Sequence, residues 1–376
     1  METLAHRDED QEVLLAEIER FGAERCAPLV ARPERPMDAA TFGALLEEAE
    51  AIGLGGSATD PSGLGPWERL GSDDGASLTL QLLEGLGRVD AALAYALHQR
   101  SLARAVCRRL GVDAEGPFAI APRGHFGLGR DTLGALLLGR PLGHDARALL
   151  SDLYAAEAAR IVAIDPGFSG LLTPALDGAG HLFWQLHRAS TLERRDHAHA
   201  HGLDAMAMVT LVPRAPASLT VRDAELGRTV LAEAMAADQL GLLAISTGSV
   251  AHAAEAARRF AAVRRQGGLP IARHAAVLDL LGRVETALAA SQASLEALGA
   301  QAPGLRTLPR VLAARALLQP SLADAANAAL QVFGGLGYMR DNGLEKIVRD
   351  VNCLRAFGGS PLELRLAVAG WESTHD

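Results

Sequence analysis

Residues 331–338 read Gln-Val-Phe-Gly-Gly-Leu-Gly-Tyr, and the pair Arg349-Asp350 follows shortly after them. The stretch ends a long Ala/Leu-rich segment whose pattern predicts a helix. One glycine is enough to end a helix in a Schellman turn. Here Gly334, Gly335 and Gly337 stand in four positions, and such glycines let a backbone approach a ligand closely. The stretch therefore predicts either an ordinary helix end or a ligand-binding turn.

A second turn precedes it, in the stretch Arg264-Arg-Gln-Gly-Gly-Leu-Pro-Ile271. Taken alone, this string is typical of a solvated turn between two helices, because its Gly and Pro residues interrupt the helical pattern. Two further breaks, at residues 302–309 and 358–361, divide the Ala/Leu-rich C-terminal third into several helices. The residues from about 225 to 369 therefore predict a helical bundle.

Together and in this order, the turns resemble those of the acyl-CoA dehydrogenase family, over about 237–369. The family's R-x-Q-F-G-x-P-I turn is matched at Arg264, Gln266, Gly268, Pro270 and Ile271. Its Q-x-x-G-G-x-G turn and R-D pair are matched at Gln331, Gly334, Gly335, Gly337 and Arg349-Asp350. The family's last helix opens with Y-E-G-T/S, and this chain has Phe357-Gly358-Gly359-Ser360 in that place.

The predicted fold class is mainly α with a small β-barrel middle domain and a C-terminal four-helix bundle, the barrel and the four-helix count being implied by the resemblance. Helical spacing predicts a helix from Asp38, as N-cap, to Gly53, and another from Ser77 to Leu110. Short apolar runs between 161 and 222 predict a small antiparallel β unit. We expect an N-terminal helical domain at 1–119, a middle domain at 120–226 with inserted helices within 131–160, and the bundle at 227–376.

The resemblance implies that FAD binds across a subunit interface. The cofactor-binding residues that it implies are Arg264, Gln266, Gln331, Gly334, Gly335 and Ser360. A guanidinium and closely approaching backbone N–H groups suit a pyrophosphate. The resemblance also implies an acyl thioester as substrate and an electron-transfer flavoprotein as electron acceptor. The expected assembly is a homodimer, a homotetramer, or a heteromer with a second acyl-CoA dehydrogenase-like subunit.

The catalytic carboxylate departs from the family pattern, because Gly358 stands where the family's last helix carries its glutamate. The nearby Glu363 lies further along that helix. Some family members carry the base on an earlier helix, and the matching position here is Asp238. The alternative for Asp238 is a helix N-cap, since Asp is a favoured cap. Asp238 is thus either the base that removes the α-proton or a cap.

Three functions follow from this departure. The first is oxidation of an acyl thioester, carried by CoA or a carrier protein, at Cα–Cβ. The second is a non-catalytic partner subunit that contributes its two turns to FAD held by another chain. The third is a family member with other chemistry, such as oxidation of a non-thioester or an elimination. The first is the interpretation that we favour.

The middle of the chain matches the family less well. Residues 164–169, Ile-Asp-Pro-Gly-Phe-Ser, could be a diverged form of the family's T-E-P-G-x-G-S-D loop near the flavin. The Phe183-Trp184-Gln185 string is the nearest equivalent of its W-I-T-N strand. The alternative, which we favour slightly, is a plain β-turn and a core strand. The adenosine side of the site is therefore better matched than the flavin-ring side.

Composition excludes several other classes of protein. The 376 residues carry a formal net charge of −9 and a single lysine, Lys346, with no basic block, which argues against nucleic acid or an anionic membrane as partner. No secretory signal or membrane-spanning run is recognisable, so we expect a cytoplasmic protein.

The three cysteines are widely spaced, and we expect no metal, although His197, His199 and His201 alternate. The glycines of 124–129 lack a βαβ context and predict a turn.

Overall fold

The computed structural model describes residues 2–30, 37–55, 65–113, 116–121, 132–197 and 200–372. Its helices are α1 Glu2–Phe21, α2 Ala27–Val30, α3 Ala39–Ala51, α4 Ser77–Val89, α5 Ala91–Arg109, α6 Thr132–Leu137, α7 His144–Leu153, α8 Ala224–Val263, α9 Ala275–Gly299, α10 Leu308–Val332, α11 Leu344–Ala356 and α12 Pro361–Glu372. The order of helices, a small β unit and a helical bundle confirms the predicted fold class.

Two small sheets form the middle of the chain. The strands are β1 Phe118–Ile120, β2 Arg160–Ile164, β3 Gly170–Leu176, β4 Leu182–Arg188, β5 Leu192–Asp196, β6 Ala207–Pro213, β7 Leu219–Val221, β8 Arg265–Gln266 and β9 Leu269–Pro270. One sheet has the order β1-β3-β4-β7 and the other has the order β2-β6-β5, while β8 and β9 form a separate hairpin.

The β unit differs from the expectation in two respects. Strand β1 pairs parallel with β3, from Phe118 opposite Gly170 to Ile120 opposite Leu172, whereas the other paired strands run antiparallel. An entirely antiparallel unit was therefore wrong. The crossover from β1 to β3 passes through α6, α7 and β2, and such a long connection permits parallel pairing. The two sheets also do not close into a barrel.

The N-terminal helices follow their local signals, with one correction. Asp38 caps α3, because its side chain accepts a hydrogen bond from the Thr41 N–H, and Gly53 follows the helix with φ +88°. The predicted helix 77–110 is interrupted at Asp90, which ends α4 in an extended conformation and caps α5 by accepting from the Leu93 N–H. An Asp inside an apolar helical pattern was the overlooked signal for a new helix start.

Helix α8 is the centre of the fold. It contacts α4, α5, α9, α10 and α11. At Gly248 an added Cβ would lie 1.9 Å from the Glu84 carbonyl oxygen, so this position has no room for a side chain where α4 crosses. By length and composition α8 would also pass as a membrane span, but 94% of its most apolar window is buried inside the protein. That burial is typical of a core helix.

The C-terminal helices match the predicted bundle. Helices α8, α9 and α10 are long, and α11 and α12 pack against α10. The predicted breaks separate α8 from α9, α9 from α10, α10 from α11 and α11 from α12. The domain boundaries at residues 119 and 226 stay a prediction.

Candidate functional site at the junction of the bundle and the β unit

Asp238 lies in the middle of α8, not at its start. The N-cap of α8 is Asp223, whose carboxylate accepts a hydrogen bond from the Leu226 N–H at 3.0 Å. Asp238 is only 5% exposed. The cap interpretation was therefore wrong, because the apolar pattern of α8 begins well before Asp238. A buried carboxylate in a helix interior needs hydrogen-bond partners from other elements.

Helix α5 supplies those partners. His98 Nε2 lies 3.2 Å from Asp238 Oδ1, and the amide nitrogen of Gln99 donates to the same oxygen at 3.4 Å. His98 is fully buried and Gln99 is 5% exposed. Among the described residues, none donates a hydrogen bond to Oδ2 of Asp238. One oxygen of the carboxylate is thus held in place and the other is open to a further partner.

The open oxygen faces the turn that follows α11. Gly358 has φ +66°, and a Cβ on it would lie 3.2 Å from Asp238 Oδ2 and 2.3 Å from the side-chain nitrogen of Gln239. The two positions that the resemblance associates with the catalytic carboxylate are therefore neighbours in space. This chain carries an acid at only one of them, and the packing leaves no room for one at the other.

A small cavity lies beside the carboxylate. It has a volume of about 40 Å³, and Asp238, Gly358, Tyr95 and Phe357 line it on the helical side. Residues of β1 and β2 line it on the side of the β unit. This volume holds a few water molecules. Asp238 therefore lines a small space between the bundle and the β unit, and this space is partly open, because Ile161 in its lining is 60% exposed.

A buried arginine fixes the turn at Gly358. Arg315 on α10 is fully buried and donates to Gln239 Oε1 at 2.8 Å and to the carbonyls of Leu354 and Phe357 at 2.5 and 3.1 Å. Gln239 in turn donates to the Gly358 carbonyl at 2.7 Å. The network satisfies carbonyls at the end of α11, which would otherwise be unpaired. Arg315 was not among the predicted site residues, and its only signal in the sequence is a single arginine within an apolar helical run.

The first family-like turn lies at the surface. Helix α8 ends at Arg264, and strands β8 and β9 form a tight hairpin around Gly267 and Gly268, with φ +60° and +82°. Left-handed conformations at both central residues are typical of a two-residue hairpin turn. Arg264 and Gln266 are exposed, and no described residue bonds to the Arg264 guanidinium. This side chain is free to bind an anion.

The second turn lies beside the first. Phe260, near the end of α8, stacks on Phe333, just beyond α10, with ring centroids 4.2 Å apart. Gln331 is exposed, and its side-chain oxygen accepts a hydrogen bond from the Tyr338 hydroxyl at 3.3 Å. A Cβ on Gly334 or Gly335 would meet nothing within 4 Å. The backbone here is therefore open to a ligand or a partner chain.

Ser360 takes part in a capping box at the start of α12. Its backbone N–H donates to the Glu363 carboxylate at 2.6 Å, and its hydroxyl accepts from the Glu363 N–H at 3.3 Å. This reciprocal pair satisfies two N–H groups at a helix start. The structure thus gives both residues a role in helix capping, and the cofactor role of Ser360 stays a prediction.

The Arg349-Asp350 pair joins α11 to the β unit. Arg349 donates to Asp204 at 2.7 Å and also pairs with Glu345 on its own helix. Asp350 accepts from the Leu203 N–H at 2.6 Å and pairs with Lys346 at 2.7 Å. Both residues are therefore structural contacts between the bundle and the loop before β6.

The β-unit motifs are structural in this chain. The Asp165 carboxylate accepts from the Gly167 N–H at 2.7 Å and pairs with Arg100 on α5 at 2.6 Å. Trp184 is 1% exposed on β4, and its indole N–H donates to the Gly227 carbonyl at 3.1 Å. These contacts agree with the plain-turn and core-strand interpretations.

The remaining sequence features are the alternating histidines and the glycine stretch 124–129. His197 Nε2 lies 2.8 Å from the Thr210 hydroxyl. His199 and the glycine stretch 124–129 lie outside the described residues. Within the described ranges, no group of three potential metal ligands converges.

Comparisons with known proteins identify the C-terminal domain and the fold. The model of the acyl-CoA dehydrogenase C-terminal domain matches residues 225–369. The 3-sulfinopropanoyl-CoA desulfinase of Cupriavidus necator is 28% identical over 144 residues, which cover 38% of this chain and 36% of that enzyme. The matched stretch thus spans little more than a third of this relative.

Solved structures match the whole chain at low sequence identity. Butyryl-CoA dehydrogenase from Megasphaera elsdenii superposes with a TM-score of 0.71 at 16% identity, over 96% of this chain and 97% of that one. An FAD complex of PigA superposes with a TM-score of 0.73 at 16% identity, over 98% of each chain. Residues 225–369 therefore match the C-terminal domain of the acyl-CoA dehydrogenase family, and the chain has the fold of these solved structures over nearly its whole length.

Proposed function

We propose that this protein is an FAD-dependent, acyl-CoA dehydrogenase-like oxidoreductase that oxidises an acyl thioester of CoA or a carrier protein at Cα–Cβ. The observation that carries the proposal is the Asp238 carboxylate, which has one oxygen held by α5 and the other beside Gly358, with both residues lining a small cavity. It lies beside Gly358, where the family's other base position has lost its acid. A base held in this way is suited to removing an α-proton. We place the protein in the cytoplasm.

Asp238 would accept the α-proton of the thioester on Oδ2, while Oδ1 keeps its bonds to His98 and Gln99. When bound, FAD would supply the group that accepts the hydride from the β-carbon. Loss of the α-proton and of this hydride leaves a double bond between Cα and Cβ of the thioester. Asp238 is only 5% exposed, and such burial strengthens the electrostatic interactions of the carboxylate. The lining of the cavity must move to admit a thioester, because its volume is about 40 Å³.

The surface turns fit the adenosine diphosphate part of FAD. Arg264 presents a guanidinium without a protein partner, and the backbone at Gly334 and Gly335 is unobstructed. Gln266 and Gln331 are exposed beside them and can donate hydrogen bonds. Arginine and backbone N–H groups are the usual ligands of a pyrophosphate.

Replacing Arg264 by Ala should lower FAD retention by about tenfold, because one charge-assisted hydrogen bond to phosphate contributes roughly 1.5–3 kcal/mol. Flavin retained after gel filtration, measured by absorbance, tests this. Arg265→Ala is the matched control, because it removes a neighbouring guanidinium from the same hairpin, where successive side chains point to opposite faces. Equal flavin occupancy in the two variants would mean that the hairpin is only a turn.

We expect the protein to form at least a dimer. A groove of about 1070 Å³ between α9 and α10 contains Gln331, Tyr338 and the exposed Leu317. Because this groove lies beside the second turn, we expect a second copy of this chain, or a related subunit, to occupy it. Leu317→Glu should produce monomers in sedimentation experiments, whereas Val13→Glu, which alters an equally exposed residue on α1, should not. A wild-type monomer at micromolar concentration, with or without FAD, would contradict this expectation.

The cavity volume favours a second candidate function. Because the described residues leave only about 40 Å³ beside Asp238, the chain could instead be a non-catalytic partner subunit that contributes its two turns to FAD in another chain. A visible spectrum of the purified protein and an assay with a saturated acyl thioester distinguish these two functions. Bound flavin and an α,β-unsaturated product support the dehydrogenase. Lack of both, with flavin appearing only in a complex with a second family member, supports the partner subunit.

A further inference from the structure

A fully buried histidine connects Asp238 to a tryptophan. The indole N–H of Trp67 donates to His98 Nδ1 at 2.9 Å. On the other side of the ring, His98 Nε2 lies 3.2 Å from Asp238 Oδ1. Trp67 is 2% exposed and His98 is 0% exposed. The three side chains come from the loop before α4, from α5 and from α8.

The tryptophan decides which nitrogen of His98 carries the proton. An indole N–H can only donate, so His98 Nδ1 must accept. In the neutral ring the proton is then on Nε2, where it donates to Asp238 Oδ1. A doubly protonated ring would direct an N–H at the Trp67 N–H in a site without water access. His98 is therefore fixed as a neutral donor to the carboxylate.

The surrounding backbone is shaped to keep the ring in this place. On α8, three residues after Asp238, a Cβ at Gly241 would lie 2.3 Å from His98 Cε1 and 2.6 Å from Nδ1. Trp67 itself has φ +59°, a left-handed conformation that is unfavourable for a large side chain. Such strain persists only where packing enforces it, and it is frequent at functional sites.

Few other ionisable groups face this pair. On α5, the Tyr95 ring lies 6.2 Å from that of His98. On α10, Arg315 approaches through Gln239, to which it donates, and it also donates to Gln319 and to the end of α11. On α8 and on the turn at 357–358, the nearest polar groups are Gln239 and the Gly358 carbonyl. Among the described residues, His98 is thus the only titratable group hydrogen-bonded to the Asp238 carboxylate.

We propose that His98, locked in its Nε2–H form by Trp67, is the positioning residue that holds Asp238 as an ionised proton acceptor with Oδ2 directed at the cavity. The catalytic role of this arrangement of Trp67, His98 and Asp238 rests on the proposed dehydrogenase function. Because His98 stays neutral, it orients the carboxylate without the full positive charge that would lower its basicity. When Oδ2 receives a proton, Oδ1 still accepts from the same imidazole N–H.

The test compares Trp67→Phe with Trp184→Phe. Both substitutions remove an indole N–H from a buried tryptophan. The Trp184 N–H, however, donates to the Gly227 carbonyl and not to His98. Nitrogen NMR of the histidines should show the His98 proton on Nε2 in the wild type and in Trp184→Phe. In Trp67→Phe, the proton should no longer be confined to Nε2, because no indole N–H then faces Nδ1.

Turnover provides the second measurement. In Trp67→Phe, kcat should fall by about tenfold to a hundredfold, as expected when a catalytic group is displaced. Trp184→Phe should keep the wild-type kcat. In a parallel pair, His98→Gln keeps an N–H donor and should retain most of the turnover, whereas His98→Leu should not.

The outcomes separate this inference from the proposed function. A wild-type His98 with its proton on Nδ1, or a Trp67→Phe variant that matches Trp184→Phe in both measurements, overturns the inference even if the enzyme is active. A His98 proton that leaves Nε2 only in Trp67→Phe, in a protein without thioester turnover, supports the role of Trp67 and contradicts the dehydrogenase proposal.

Discussion

Replacing Asp238 by Asn is expected to lower turnover of a saturated acyl thioester by about 10²–10⁴-fold, the usual contribution of a positioned general base. The two side chains have nearly the same shape. An Asn Oδ1 can still accept from His98 and Gln99, so the free energy of unfolding should change by less than about 1.5 kcal/mol. Steady-state kinetics and denaturant unfolding of the same preparation provide both measurements.

Asp350→Asn is the matched control for that variant. Asp350 is also almost fully buried, at 2% exposed, but it pairs with Lys346 on α11. Its replacement should cost about 1–3 kcal/mol of stability, because an amide nitrogen would then face the lysine, while the folded protein keeps its kcat. Wild-type turnover in Asp238→Asn would remove Asp238 from the catalytic role.

Replacing Gly358 by Ala is expected to lower the free energy of unfolding by about 2–5 kcal/mol. A left-handed conformation costs a non-glycine residue roughly 1–2 kcal/mol. The new Cβ would also overlap the Gln239 side chain at 2.3 Å, and overpacking costs typically about 1–3 kcal/mol. Denaturant midpoints of the two proteins measure the difference.

Gly111→Ala isolates the backbone part of this effect. Gly111 has φ +67°, almost the same as Gly358, but its Cβ would meet nothing within 4 Å. Gly111→Ala should cost only the backbone part, about 1–2 kcal/mol. Equal losses in the two variants would show that the turn at Gly358 has room for a side chain, contrary to the structure.

The same packing predicts that Gly358→Glu does not restore a base at the family's usual position. In an Asp238→Asn background, this second change should lower stability further and return no turnover. Recovery of activity in the double variant would show that the turn rearranges to admit the carboxylate. The assignment of Asp238 would then need to be revised.

Local signals in the sequence predicted the helices and the surface turns correctly. Asp38 and Gly53 mark the ends of α3, because capping and left-handed glycine are properties of a few adjacent residues. The motifs around Arg264 and Gln331 predicted two surface turns at helix ends, and the structure places them side by side through Phe260 and Phe333. Exposed turns depend little on the rest of the chain.

Predictions that depended on long-range pairing were less accurate. The parallel pairing of β1 with β3 joins residues about fifty positions apart, and no alternation within either strand encodes its direction. Similarly, Asp90 restarts a helix in what reads as one continuous apolar pattern, and its second carboxylate oxygen pairs with Lys346 far along the chain.

By itself, the sequence determined the fold class, the order of the elements and the place of the two surface turns, because periodicity, caps and glycines act over a few residues. It also singled out Asp238 and Gly358, but it left Asp238 either a cap or a base. Only the tertiary structure excluded the cap, and the catalytic role of Asp238 stays a prediction. The surroundings of Asp238 are built from Trp67, His98 and a turn more than a hundred residues away, and burial and hydrogen bonding there follow from packing between distant segments, which no local pattern records.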